Sequence, residues 1–208
     1  MAAAMRGLAL VALLAVAACG GDSGGGDGGG ERFATPPPDD STPAATATST
    51  TVPGAAGPLE PSAVEASATA PPGTDARGAV VSYAATNLID GDPTTAWRVP
   101  GSGQGVVLTL RFAKPVVVTR IGLIPGYAKV DPADGTNRFF QNRRVHRVRY
   151  GAVGVSREAS FVDQPDLQTV DVQSKPSTEV TVEILESTAP GDRDFTAISE
   201  IEVSGLPG

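Results

Sequence analysis

Hydrophobic and polar positions alternate with a period of two along much of the second half of this chain. Val106, Leu108, Leu110 and Phe112 alternate with Val107, Thr109 and Arg111, the pattern of a strand with one buried face. Ala113-Lys114-Pro115 interrupts the pattern, and a β-branched run resumes from Val116 to Ile124 before Pro125-Gly126 ends it. Val145–Tyr150, Ser156–Val162, Leu167–Val172, Thr178–Leu185 and Phe195–Val203 predict further strands, each bounded by Gly, Pro, Asp or Ser. The alternation slips at Val145, where a bulge is expected. Val64–Ala70 alternates weakly and predicts an opening edge strand, and Tyr83–Ile89 a short helical turn. The segment from Tyr127 to Arg144 is polar and reads as a long surface loop. No stretch of this region has a long apolar pattern of period 3.6. Seven or more short strands with turn signals between them predict an all-β fold, an antiparallel sandwich or barrel that presents its long loops at one end.

The first sixty residues follow a different pattern. Arg6 precedes the apolar run Leu8–Val16, which is too short to span a bilayer and reads as the core of a secretory signal over residues 1–18. The run ends in Val16-Ala17-Ala18-Cys19, with Gly20 next, and resembles the lipobox of bacterial lipoproteins. That resemblance implies a diacylated Cys19 as mature N-terminus and a chain anchored to the cell membrane on its extracytoplasmic face. The alternative is a cleavable signal with an incidental cysteine. Cys19 is the only cysteine, so no disulfide forms within one copy. Residues 19–61 are rich in Gly, Pro, Thr and Ala and offer almost no apolar side chains to offset the cost of ordering. They read as a flexible tether, with residues 62–208 left as one domain of ordinary size.

The tether carries six acids and one arginine, Arg32, and so holds much of the formal net charge of -7. The domain that remains is modestly acidic, which argues against nucleic acid as a partner. Its densest chemistry lies in Asn87-Leu88-Ile89-Asp90-Gly91-Asp92-Pro93-Thr94-Thr95-Ala96-Trp97. Gly91 admits positive φ and Pro93 pushes Asp92 toward an extended conformation, so the chain turns sharply and gathers the oxygens of Asp90, Asp92 and Thr95. Such hard ligands suit calcium; a solvated Asp-Gly turn before a strand is the other reading.

Asn87–Asp92 followed by Thr95-Ala96-Trp97 resembles the early motif of discoidin, or F5/8 type C, domains, which are galactose-binding-like β-sandwich (jelly-roll) modules. Ala197–Val203 resembles that family's last strand, and Val118–Ile124 one of its inner strands. Pro125-Gly126-Tyr127-Ala128-Lys129, with Asn142-Arg143-Arg144-Val145, is similar to one branch, the NADase-type glycan-binding or NAD glycohydrolase translocation F5/8 type C domain. The resemblance covers about residues 62–205. It implies a structural calcium held by Asp90, Asp92 and Thr95, with Asn87 nearby and Glu200 reaching across from the last strand.

Inventory argues against an enzyme. A nucleophilic triad needs a nucleophile beside a base, and the one histidine, His146, lies in a strand among arginines. No Cys/His cluster has zinc-ligand spacing. Binding has better candidates. Arg138 to Arg149 concentrates five arginines with Phe139 and Phe140, and Tyr127 and Lys129 precede them. Aromatic faces and planar hydrogen-bonding groups suit sugars, and the arginine fork suits acidic sugars or phosphates. Tyr127, Lys129, Asn142, Arg143 and Arg144 are therefore the expected carbohydrate contacts. In the competing arrangement the phenylalanines fill the core and the arginines form a rim paired with acids such as Asp131 and Asp134. Non-catalytic glycan binding is the expected function; a protein-interaction or scaffold module of the cell envelope is the alternative.

Overall fold

The computed structural model describes residues 55–75 and 77–208. The expected signal peptide, Cys19 and most of the expected tether lie outside the described residues.

Three short strands open the fold: β1 (Gly57–Pro58), β2 (Ala63–Ala66) and the first half of a hairpin, β3 (Gly73–Thr74) paired with β4 (Val80–Val81). A 3-10 helix at Ala85–Leu88 leads to β5 (Trp97–Pro100) and the long β6 (Val107–Leu123). One helical turn, α1 (Arg138–Gln141), precedes β7 (Arg143–Ala152) and β8 (Val155–Ser160). The chain closes with β9 (Gln168–Asp171), β10 (Ser177–Ser187), β11 (Phe195–Ile198) and β12 (Ile201–Pro207). Ten strands join one curled sheet in the order β1-β12-β6-β10-β7-β11-β5, with β2 and β9 also on β6 and β8 on β7. This is the expected all-β sandwich.

β6 explains how the sheet curls into two layers. Its first part, Val107–Arg111, pairs with β10 and β2, whereas Val116–Leu123 pairs with β12 and β9. The expected break at Ala113-Lys114-Pro115 is a corner inside one strand. Those three residues are exposed, and the β10 register shifts between Ser177 and Glu179 beside them. Proline is tolerated at such an irregular edge, where its missing N–H costs no ladder bond.

The apolar alternation becomes the core. Leu108, Leu110, Val118, Ile121, Leu123, Val148, Tyr150, Val180, Val182 and Ile184 pack together with Trp97. The Trp97 indole N–H has acceptors in Ala68 O at 3.2 Å and Thr69 Oγ1 at 3.1 Å, which satisfies its polar edge inside the core. The slip expected near Val145 is present: the β7–β10 register shifts on both sides of Glu186, and His146 stays exposed.

Four differences from the sequence pattern bear on the site. β1 and Leu59, which fall before the expected boundary at 62, belong to the fold: Leu59 packs into the core and its N–H bonds Val203 O at 2.8 Å. The expected strand Phe195–Val203 is two strands, separated at Ser199-Glu200. β11 pairs antiparallel with β5 but parallel with β7, so the sheet is not wholly antiparallel. Finally, α1 interrupts the long polar loop: Asn137 caps it by accepting the Phe139 N–H at 3.0 Å.

Candidate functional site

Two constellations lie near the β5–β11 side of the fold: the clasp around Asp90 and Glu200, and a cleft floored by Arg98.

The clasp begins with Gly91 at φ 72, the left-handed geometry expected of this glycine. Asp90 Oδ1 accepts the Asp92 N–H at 3.0 Å and its Oδ2 accepts the Thr95 hydroxyl at 2.8 Å. Asp92 Oδ1 accepts both the N–H and the hydroxyl of Thr94, at 2.8 and 2.7 Å, and those bonds hold its pKa below the ordinary value. The Asn87 amide donates to Ser82 O at 3.1 Å and Ala96 O at 3.0 Å, tying the 3-10 helix to the start of β5. Glu200 faces this turn across the junction of β11 and β12. Its Oε2 is buried with no hydrogen-bond partner. Burial, with repulsion from Asp90, pushes its pKa up to about 7.

A buried, unpartnered carboxylate oxygen beside two further carboxylates fits a cation. The donors are all hard oxygens, which fits calcium among metals. Among the described residues, no three His, Cys, Asp or Glu side chains converge as a ready-made cage. An ion here would use Glu200 and Asp90 together with hydroxyl and carbonyl oxygens. Glu200 and Gly91 also line an open hollow with Leu59 and Ile89, which leaves a path for an ion to enter.

The cleft is built by alternation along β5. Trp97 and Val99 enter the main core, so Arg98 points to the opposite face. There a second small core forms from Tyr83, Ala96, Tyr127 and Ala197. The Arg98 guanidinium carbon sits 3.7 Å from the centre of the Tyr83 ring and 4.0 Å from that of Phe195, within cation–π range. Tyr83 and Tyr127 meet edge to face, with centroids 6.4 Å apart. Arg98 is 6% exposed, and its Nε is buried without a partner. Burial lowers its pKa, and repulsion from Arg193 and Arg138 adds to that effect. Burial likewise pushes the Tyr127 phenol up to about 12, so it stays a neutral hydroxyl.

The walls are polar. Asp131 and Arg138 pair at 2.7 Å, and Arg138 also donates to Gln141 Oε1 at 2.6 Å. The Arg138 hydrogen bond holds the Asp131 carboxyl below its ordinary pKa. Lys129, Gln141 and Arg193 complete one side, and Thr74, Asp75 and Val81 of the β3–β4 hairpin the other. The cavity between them is small, about 30 Å³, and opens to solvent.

Of the five expected carbohydrate contacts, Tyr127 and Lys129 line this cleft; the other three are engaged elsewhere. Asn142 is fully buried and donates to Arg138 O at 2.8 Å, closing α1. Arg143 bonds Asp194 through Nε and Thr188 O at 2.8 Å. Arg144 pairs with Asp163 at 2.8 Å and donates to Asn142 O at 3.0 Å. These three side chains hold the α1–β7 junction together because the chain must turn from helix to strand there. Phe139 is buried and Phe140 is 56% exposed, so the adjacent pair divides between core and surface. Arg147 and Arg149 form a ladder with Glu158, Glu183 and Glu186 on the outer face. Arg98 and Tyr83 were not expected. The signal for Arg98 was a lone charge between Trp97 and Val99, two residues that must both be buried.

Residues 61–204 match the family described as the NAD glycohydrolase translocation F5/8 type C domain. The chain belongs to this family. Among solved structures, this F5/8 type C domain is similar to CBM32-3 from a family 31 glycoside hydrolase of Clostridium perfringens. Identity is 15% over 71% of this chain and 94% of that one, with a TM-score of 0.51. It is also similar to a truncated AlyQ with CBM32 and alginate lyase domains, at 13% identity and a TM-score of 0.51, over 74% of this chain and 34% of that one. An F5/8 type C domain from Bacteroides fragilis matches at 16% identity and TM-score 0.49, over 74% of this chain and 99% of that one. The two likenesses with a TM-score of 0.51 show the fold alone. No curated protein matches the sequence.

Proposed function

We propose that this F5/8 type C domain is a non-catalytic carbohydrate-binding module that takes its ligand in the Arg98 cleft. The observation that carries the reading is the floor of that cleft. A guanidinium stacked between two rings, beside the Tyr127 hydroxyl and the Gln141 amide, presents planar donors fixed before any ligand arrives. Fixed donors spare a sugar the entropy of ordering loose side chains. Fold likeness to CBM32-3 of a glycoside hydrolase agrees with this use of the scaffold. The inventory of side chains supports a binding role without turnover.

The test is a glycan array probed with the purified protein, in parallel with Lys129→Ala and Gln141→Ala variants. Binding that falls in both variants while their melting temperatures stay unchanged supports the cleft. A protein silent on glycans that captures an envelope protein by cross-linking would instead favour the interaction-module reading.

Two further parts of the proposal rest on the expectations from sequence. Calcium at the clasp, held by Asp90 and Glu200 with oxygens from Asp92, Thr95 and Asn87, would join the first turn to the last strand. Lipid at Cys19 would place the module on the extracytoplasmic face of the cell membrane. Loss of labelled fatty acid and release of the protein in Cys19→Ser would test the anchor.

A further inference from the structure

We infer that the Arg98 cleft selects a sugar bearing an oxyanion, a carboxylate or a sulfate ester, over its neutral counterpart. This rests on the cleft being the carbohydrate site and names the class of sugar it takes.

The first observation is charge. The cleft is lined by four cationic side chains, Arg98, Lys129, Arg138 and Arg193, against two acidic ones, Asp75 and Asp131. Residues 62–208 carry 14 Lys and Arg against 17 Asp and Glu, so the cleft inverts the sign of the domain it belongs to. The two acids are already used. Asp131 is paired with Arg138 at 2.7 Å, and Asp75 Oδ1 accepts the N–H groups of Arg77 and Ala79 at 2.9 and 2.8 Å. Among the described residues, the ion pairs formed include neither Arg98, nor Lys129, nor Arg193.

The second observation is burial. Arg98 is 94% removed from solvent by its 6% exposure, and it keeps an unpartnered Nε there. A buried cation without a counter-charge is costly, and proteins ordinarily supply a carboxylate beside it. Here the rings of Tyr83 and Phe195 hold the guanidinium plane but do not neutralise it. An oxyanion from a ligand would supply the missing charge, and the arginine fork matches planar oxyanions in two-point contact. The cleft is small and its excess positive charge modest, which fits one oxyanion on a sugar ring rather than a polyanion.

The experiment titrates the protein with matched oligosaccharides: a uronate-containing chain, the same chain methyl-esterified, and a sulfated neutral chain with its unsulfated parent. The expected result is binding of the uronate or the sulfated chain that is roughly tenfold or more tighter than of its neutral partner. That preference should shrink as salt rises from about 50 to about 500 mM. Preference for the uronate assigns the oxyanion to a carboxylate, and preference for the sulfated chain to a sulfate ester. Arg98→Met should erase the preference. Should that variant fail to fold, Lys129→Gln at the half-buried rim should reduce the preference at unchanged melting temperature. Equal binding of charged and neutral partners would overturn the inference and leave the carbohydrate reading standing. Absence of binding to any of the four, and to every glycan on the array, would remove both.

Discussion

The hydroxyl oxygen of Ser199 lies 2.8 Å from the carbonyl oxygen of Thr95, at a separation of 104 residues. The same hydroxyl lies 2.9 Å from Pro93 O and accepts the Ala128 N–H at 3.0 Å. One fully buried serine thus fastens the Asp90–Thr95 turn and the Tyr127 loop to the junction of β11 and β12. Ser199→Ala leaves the part-buried Ala128 N–H without its acceptor, a loss of about 1 kcal/mol or more. Urea unfolding should report that loss in the midpoint at an unchanged slope. A change below about 0.5 kcal/mol would mean that water replaces the hydroxyl.

The Trp97 side chain is fully buried in the main core. Trp97→Ala should cost about 3–5 kcal/mol, the range for removing a large buried aromatic. Chemical denaturation followed by far-UV circular dichroism measures it. A loss below about 1 kcal/mol would place the indole outside the cooperative core.

Gly126 sits where a Cβ would approach Phe139 Cε2 to 2.5 Å and Arg144 Cγ to 2.9 Å. Its requirement is for space, since its φ is not in the left-handed region. Phe139 is buried and cannot swing away, so Gly126→Ala should destabilise by about 1–3 kcal/mol through overpacking. Phe139→Leu in the same chain should recover part of that loss by giving the methyl room; no recovery would contradict the steric cause.

Much of this was legible in the sequence, and particular residues show why. Leu108, Val182 and their neighbours alternate strictly, so one buried face per strand could be read directly, and the Asp90–Trp97 turn carries its geometry in Gly91 and Pro93. The cleft was half legible. Tyr127 and Lys129 belong to a recognisable loop, but Arg98 acquires its place only when β11 pairs beside β5 and brings Phe195 over it. Arg143, Arg144 and Asn142 look like ligand groups in one dimension because arginine and asparagine serve both recognition and chain turning. Asp163, Thr188 and Asp194, which occupy the two arginines, are distant in sequence, whereas Asn142 closes α1 through the nearby Arg138 carbonyl. Long-range pairing decides such roles, and local pattern does not contain it.

Glu200 gives the clasp a pH signature. Its carboxyl is pushed up to about 7 in the folded chain, from an ordinary value of 4.5. Between those values the unfolded chain releases the proton while the folded chain retains it, so calcium-free stability should fall as pH rises through that window and then level off. Melting temperatures in chelator across the window check this, and Glu200→Gln should flatten the slope. Millimolar calcium should raise the melting temperature most at the upper end, where the carboxylate is free to bind it. A wild-type slope retained in Glu200→Gln would assign the effect to another group.

The most direct test of the carbohydrate site is a proton–nitrogen correlation spectrum of the protein titrated with the tightest glycan from the array. The expected result is a coherent set of shifts at the amides of Arg98, Lys129, Gln141 and Arg193 together with the Arg98 Nε–H signal. Shifts centred instead on Asn142 to Arg144 or on Glu200, with Arg98 unmoved, would contradict the assignment of the cleft.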